Sequence, residues 1–253
     1  MDISAVINTY NDGAKLEGCL ESVIWWVNEI VVVDQGSVDK TLEIAKKFKA
    51  KVFYHKHVPY VEIVRNFSLQ QAGGDWLMVL DPDEVIPRPL AKKLQGIAEQ
   101  GEYDSVNIPR KNIIFGKWLR HTNCWPDRHV RFFKKGQVSW GERIHQYPEV
   151  RGKILELPAV EELAIEHHNY ASIDEFFQRQ NRYSEIAAQN RFDTGERFTW
   201  KNFFWKPKRL FLQRYVRHLG FLDGFQGLAF SYSAAVSQIA EEVKLWEKQN
   251  SKQ

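Results

Sequence analysis

Asp81, Asp83 and Glu84 put three carboxylates within four residues, directly after the apolar run Trp76-Leu77-Met78-Val79-Leu80. Like charges that close repel, and a bound divalent cation is a common relief. A plain surface turn accounts for the same letters, because Pro82 suits the second position of a type I turn and Asp is favoured before it. Another carboxylate, Asp34, ends a second apolar run, Ile30-Val31-Val32-Val33. In an open α/β sheet the ligand crevice lies outside the carboxyl ends of the strands, so acids at two strand ends would face one crevice. Arg65 offers a cation for an anionic ligand. The segment Trp140-Gly141-Glu142-Arg143-Ile144-His145 is dense in polar functional groups, and His167-His168 follows later. Alternation along a strand would let one of those two histidines face a site.

These residues need a frame. Trp76–Leu80, bounded by Gly73-Gly74 and by the acidic turn, reads as a strand buried on both faces. Upstream, Ile3–Thr9 reads as a first strand, and Leu16, Leu20, Val23 and Val27 recur at helical spacing up to Trp25-Trp26. Glu29–Asp34 is a second strand. Asp39 can cap a helix through Phe48, Lys51–His55 is a third strand, and a helix over roughly 61–72 leads back to Trp76. Repeated β-α-β predicts a doubly wound, mostly parallel sheet with helices on both faces. Beyond Glu84 the alternation stops: a helix from Pro87 and Pro89 to about Glu99, strands over Asp104–Phe115 and Arg128–Phe133, a strand-like Glu162–Glu166 ending at His167-His168, and a helix from Ser172 to about Asn190. The expected division is a catalytic domain over 1–190 and a helical C-terminal extension over 191–253.

Composition bounds the rest. The 253 residues, 43% hydrophobic and 26% charged, are those of an ordinary soluble globular protein. Cys19 and Cys124 lie in unrelated contexts, so neither a disulfide framework nor a metal knuckle is expected, and a reducing compartment is. Met1-Asp2-Ile3-Ser4 lacks the basic start of a signal peptide, and no apolar run reaches the ~18 residues that span a bilayer. A net charge of +3 identifies no partner by itself. Its distribution is more informative. Between Arg197 and Arg217 lie seven Lys or Arg and no acid, interleaved with Phe198, Trp200, Phe203, Phe204, Trp205, Phe211 and Tyr215. Basic and aromatic residues on helical segments suit an element lying in an anionic membrane interface. The same mixture would serve a single-stranded nucleic-acid platform, or a helix that packs its aromatics while its cations face water. The expectation carried forward is peripheral contact with an anionic membrane, with no nucleic-acid partner.

Several fragments coincide: Val6-Ile7-Asn8-Thr9-Tyr10-Asn11, Val31-Val32-Val33-Asp34-Gln35-Gly36-Ser37-Val38-Asp39-Lys40-Thr41, Arg65-Asn66, Gly74-Asp75-Trp76 leading to Asp81-Pro82-Asp83-Glu84, His167-His168-Asn169-Tyr170, and Gly220-Phe221-Leu222-Asp223-Gly224-Phe225-Gln226-Gly227-Leu228. In this order the set resembles the family 2 glycosyltransferases, more narrowly the bacterial enzymes that add sugars to lipopolysaccharide core or related lipid-linked glycans. Gln35, Val38 and Lys40 depart from the Ser, Thr and Gly common in that family, and Gln146 stands where a Glu often follows the His.

The resemblance implies a GT-A fold, with a nucleotide-sugar-binding half over 1–100 and an acceptor half over 101–190. It implies that Thr9, Asn11, Asp34, Arg65 and Asp81 hold a nucleoside-diphosphate sugar, UDP being the common nucleotide. Within the Asp-X-Asp triplet Asp81-Pro82-Asp83, Asp83 would ligate Mn²⁺ or Mg²⁺ on the diphosphate, and His167 would complete the metal shell. An inverting transfer needs a base for the acceptor hydroxyl. Glu142 is the first candidate, Asp127 the second and Glu84 the third. The implied place of work is the inner face of the cytoplasmic membrane, on a glycan or glycolipid acceptor. Two other classes compete with this one. A sugar-phosphate nucleotidyltransferase would want a Gly-rich basic loop after the first strand, which Tyr10-Asn11-Asp12-Gly13-Ala14-Lys15 matches poorly. A non-catalytic membrane-surface or nucleic-acid-binding protein would have no use for Asp34, Asp81 and Asp83 at strand ends.

Overall fold

The computed structural model describes residues 1–58, 60–141 and 148–251. The elements run β1 (Ile3–Thr9), α1 (Gly13–Val23), β2 (Glu29–Asp34), α2 (Thr41–Lys47), β3 (Lys51–Tyr54), α3 (Glu62–Gln71), β4 (Trp76–Leu80), β5 (Glu84–Val85), α4 (Arg88–Gln100), β6 (Ser105–Ile114), β7 (Lys117–Trp118), β8 (Asp127–Lys134), β9 (Val138–Ser139), β10 (Glu149–Val150), β11 (Ile154–Glu156), β12 (Ile165–Tyr170), α5 (Ile173–Asp193), α6 (Trp200–Phe211) and α7 (Gly224–Asn250). The main sheet has the order β3-β2-β1-β4-β8-β6-β12-β5. Its first four strands are parallel, as the β-α-β alternation requires, and β8 joins β4 antiparallel.

Two compact units make up the chain, the first of residues 1–110 and 128–167, the second of 111–127 and 168–253. In the first unit the alternation of side chains along β1 and β4 divides the core. Ile3, Ala5 and Ile7 pack with Leu16 and Leu20 of α1 and with Leu90 and Leu94 of α4. Val6 and Val79 pack on the other face with Val64 and Leu69 of α3. Both faces of the sheet are therefore covered, and β1, β2 and β4 are buried almost end to end. This is the GT-A architecture that the resemblance implies.

Gly73-Gly74 has a local cause. A Cβ on Gly74 would lie 2.7 Å from Ser4 Oγ and 2.9 Å from Asp2 O, so the chain can enter β4 beside β1 with glycine alone. Asp39 accepts from Thr41 N at 3.0 Å, and its other oxygen accepts from Gly13 N at 3.0 Å, so it ties the start of α2 to the start of α1.

The second unit is helical. α5 begins at Ser172, whose hydroxyl accepts from Glu175 N at 3.1 Å, and α7 packs along both α5 and α6. Its small core gathers Ile114, Leu119, Tyr170, Phe176 and Phe230. The strand expected to end at His167-His168 instead runs on to Tyr170, because Tyr170 is buried in that core and its carbonyl accepts from Phe115 N at 2.8 Å. Glu162 and Leu163, expected to begin that strand, instead belong to a 3₁₀ turn over Glu161–Leu163. Among the described residues no helix is long and apolar enough to cross a membrane.

Candidate active site

Asp34 and Asp81 stand at or just past the carboxyl ends of β2 and β4, and β1 lies between those strands. Asp34 is fully buried. Its carboxylate accepts from Gly36 N at 3.0 Å and Ser37 N at 3.1 Å, which folds the following loop back over the strand end. The loop after β1 meets that loop. Asn11, at φ 55°, accepts from Val38 N at 2.9 Å through its side chain and donates its own N–H to Ser37 Oγ at 2.8 Å. Asn belongs in the left-handed conformation more readily than most residues. Thr9 is buried, and its hydroxyl donates to Asp12 at 3.2 Å. Burial pushes the Asp12 carboxyl up from the usual range, and the nearby charge of Asp83 adds to the rise against the Tyr10 N–H bond that lowers it. Thr9, Asn11 and Asp34 thus build one floor at the ends of β1 and β2.

The acidic turn is held by Arg65 and by two further cations, Arg110 and Arg131, that its sequence neighbourhood does not announce. Arg65 Nη2 donates to Asp81 Oδ1 at 2.8 Å, and Arg131 Nη2 to Asp81 Oδ2 at 2.5 Å. Arg131 also reaches Glu84 Oε1 at 3.0 Å, and Arg110 Nη1 reaches the same oxygen at 3.1 Å. Glu84 is fully buried, and its other oxygen accepts from Asp81 N at 2.9 Å. Burial opposes the charge on Asp81, yet Arg131, Arg65 and Arg110 outweigh it and hold the carboxyl well below its usual value. For Arg131 the same burial is outweighed by Asp81 and Glu84, which raise its pKa. The mutual repulsion of these carboxylates is therefore relieved, for Asp81 and Glu84, by three arginines. Both oxygens of Glu84 are engaged in this network.

Asp83 takes a different direction. Its Oδ1 lies 3.5 Å from His167 Nε2, and both side chains are mostly buried. β12 brings the histidine there, pairing antiparallel with β5 so that His167 sits opposite Glu84. His167 is buried and His168 exposed, so strand alternation separates the two. Among the described residues no three His, Cys, Asp or Glu side chains are gathered as a metal cage. A carboxylate and an imidazole side by side nonetheless fit a small hard cation that keeps substrate phosphate oxygens and waters as its remaining ligands.

Arg65 and Asn66 prepare a third edge. The Asn66 side chain clasps Trp140, donating to Trp140 O at 2.7 Å and accepting from Trp140 N at 2.9 Å, and the Arg65 guanidinium lies 5.4 Å from the Trp140 ring centre. Arg65 is buried, and its Nη1 has no hydrogen-bond partner among the described residues. Such an orphaned donor beside an engaged carboxylate is a ready contact for an anionic ligand. Glu142, together with Arg143, Ile144, His145 and Gln146, lies outside the described residues. Asp127 belongs to the second unit, at the start of β8, where it accepts from Asn112 Nδ2 at 3.0 Å.

Asp34 and Asp81 at the ends of β2 and β4, with Asp83 and His167 beside them, stand on a sheet of the GT-A class. The profile of Glycosyl transferase family 2 matches residues 4–149, more than half of the chain, and the chain belongs to that family. An uncharacterized glycosyltransferase of Mycoplasma pneumoniae is 32% identical over 160 residues, covering 58% of this chain and 46% of that protein. The lipopolysaccharide core biosynthesis glycosyltransferase LpsC of Rhizobium meliloti is 24% identical over 256 residues, covering 98% of this chain and 93% of that one. Among solved structures, the mannosyltransferase PcManGT of Pyrobaculum calidifontis, in complex with GDP-Man and Mn²⁺, matches with a TM-score of 0.55 at 14% identity, over 98% of this chain and 88% of that one. The chain is thus a family 2 glycosyltransferase, similar over nearly its whole length to a relative named for lipopolysaccharide core biosynthesis.

Proposed function

We propose that this protein transfers a sugar, with inversion, from a nucleoside-diphosphate donor to a lipid-linked or lipopolysaccharide-core glycan. The observation that carries the reading is the Asp83–His167 pair at 3.5 Å, next to an Asp81 held ionised between Arg65 and Arg131. In this reading Thr9, Asn11, Asp34, Arg65 and Asp81 hold the nucleotide-sugar. Asp83 and His167 hold Mn²⁺ or Mg²⁺, which when bound neutralises charge on the departing diphosphate. The mannosyltransferase neighbour with GDP-Man and Mn²⁺ supports a metal and a nucleoside-diphosphate sugar. UDP is the proposed nucleotide, from the sequence resemblance.

Asp34 fixes the loop that frames the base and ribose, and Arg65 turns its unsatisfied Nη1 toward the anionic part of the donor. Glu142 is the proposed base that takes the acceptor hydroxyl proton, with Asp127 as the alternative. The functional division is a catalytic domain over 1–190, with donor and acceptor halves meeting near residue 100, and an extension over 191–253. The LpsC relative supports an envelope glycan as acceptor, and with it a place of work at the inner face of the cytoplasmic membrane, held peripherally through the basic aromatic extension. The test is release of nucleoside diphosphate from a panel of nucleotide-sugars with Mn²⁺. The reading expects one UDP-sugar to turn over, and a Glu142→Gln variant to bind that donor but transfer at under about 1% of the wild-type rate. No turnover of any donor, or full transfer by the variant, would contradict the donor and base assignments respectively.

A further inference from the structure

The segment Gly220-Phe221-Leu222-Asp223-Gly224-Phe225-Gln226-Gly227-Leu228 has no part in the chemistry above, yet it is built with care. Asp223 is buried and its carboxylate accepts from Arg120 N at 3.1 Å, from His121 N at 2.9 Å and from the His121 ring at 2.9 Å. Its carbonyl accepts from Lys117 Nζ at 2.7 Å. Gly220 and Gly227 touch backbone to backbone: a Cβ on Gly227 would lie 2.0 Å from Gly220 O. The turn is therefore rigid.

What this rigid turn presents to solvent is apolar. Phe221 is 48% exposed, Leu222 57% and Phe225 77%. A turn locked from inside while three large hydrophobic side chains point outward is not an economy of packing, and contiguous exposed apolar surface marks an interaction site. In α6, Trp200, Phe204 and Trp205 are exposed as well. The two parts are joined by ring contacts from Phe211 to Tyr215 at 5.3 Å and from Tyr215 to Phe221 at 6.2 Å.

The charge around this surface selects its occupant. Lys201, Lys208, Arg209 and Arg217 are exposed on the same stretch, and no acid occurs between Arg197 and Leu222. Cations bordering exposed Trp and Phe complement an anionic lipid surface, whose headgroups take the charge while the rings enter the interface. A second copy of this chain would bring the same cations against themselves. We propose that the turn Phe221–Phe225 is the part that inserts into an anionic bilayer, with α6 lying alongside as its electrostatic contact. The inference rests on the peripheral membrane association proposed above and adds which residues enter the lipid.

The experiment uses the full chain with vesicles of phosphatidylcholine alone and of phosphatidylcholine with phosphatidylglycerol. Three variants are compared with wild type: Phe225→Ser alone, the triple Phe221→Ser/Leu222→Ser/Phe225→Ser, and Lys201→Glu/Arg209→Glu. All five side chains are exposed, so none of these changes removes a core contact. Sedimentation of wild type with the anionic vesicles is expected. Phe225→Ser should weaken it about tenfold and the triple variant more, at low and high salt alike, while the charge variant loses chiefly the low-salt component. Wild-type binding retained by the serine variants would overturn the insertion and leave the electrostatic association standing. Indifference of wild type to both vesicles would overturn both. A wild-type dimer in velocity sedimentation that the triple variant dissociates would overturn the proposal in favour of a self-contact.

Discussion

At the residue scale, Arg131 is the group on which the acidic turn depends most. It is buried, and one of its nitrogens serves Asp81 and Glu84 together. Arg131→Gln should destabilise the protein by about 3–5 kcal/mol, since removing one partner strands buried charge. A thermal melt reads this directly, and a loss below about 1 kcal/mol would show that Arg65 and Arg110 suffice. Asp81 gives a pH prediction with a definite sign. Its folded pKa is depressed, against burial, by the surrounding arginines, so its ionised form contributes stability above the ordinary carboxylate value of about 3.9. That contribution is lost as pH falls from there through the lower folded value. Asp81→Asn should therefore lower the melting temperature at pH 7, with the gap to wild type closing below about pH 4. A gap unchanged down to pH 2 would contradict it. Asp34, Asp81 and Asp83 were legible in the sequence because strand ends announce themselves by a switch from apolar to acidic letters, and Arg65 was legible only through the resemblance carried by Arg65-Asn66. Arg110 and Arg131 were not. They lie within strands, where a charged letter reads as the solvent-facing half of an alternation, and Arg131 meets Asp81 across 50 positions and Glu84 across 47.

At the scale of elements, periodicity found β1–β4, β6, β8 and α1–α4 to within a few residues, whereas the short strands β5, β9, β10 and β11 are too brief for a pattern to show. Less was visible where a strand leaves one unit for the other. β12 carries Glu166, His167 and His168 in succession, and these polar letters end an apolar pattern even though the strand continues to Tyr170. The glycines of the last segment likewise needed their neighbours to be understood. Gly227→Ala would push a methyl into Gly220 O, and α7 can clear it only by shifting from the short 3₁₀ turn Gly220–Asp223 that precedes it. The expected cost is about 1–3 kcal/mol, read as a lower melting temperature. Gly96→Ala on α4, where a Cβ meets nothing within 4 Å, should be neutral or stabilising by up to about 1 kcal/mol. Equal melting temperatures for the two variants would remove the steric account of the Gly220–Gly227 contact.

At the scale of the molecule, a doubly wound sheet brings Asp34 and Asp81 to strand ends on either side of β1, and a buried arginine network spends its charge on shaping the acidic turn. Asp81 and Glu84 are bonded by those arginines, and the charge of Asp83 also acts on Arg131. Asp83 in addition lies 3.5 Å from His167, which arrives 84 residues later along the chain on an antiparallel strand. The separation of duties within three adjacent acids is the central claim, and it is tested by the binding of UDP with and without Mn²⁺ to wild type and to Asp83→Ala, measured by calorimetry alongside thermal melts. The account predicts that Mn²⁺ tightens nucleotide binding to wild type by about tenfold or more, that Asp83→Ala abolishes this enhancement, and that the melting temperature stays within a few degrees of wild type. Metal enhancement that survives in Asp83→Ala, or a variant that unfolds as Arg131→Gln is expected to, would contradict it.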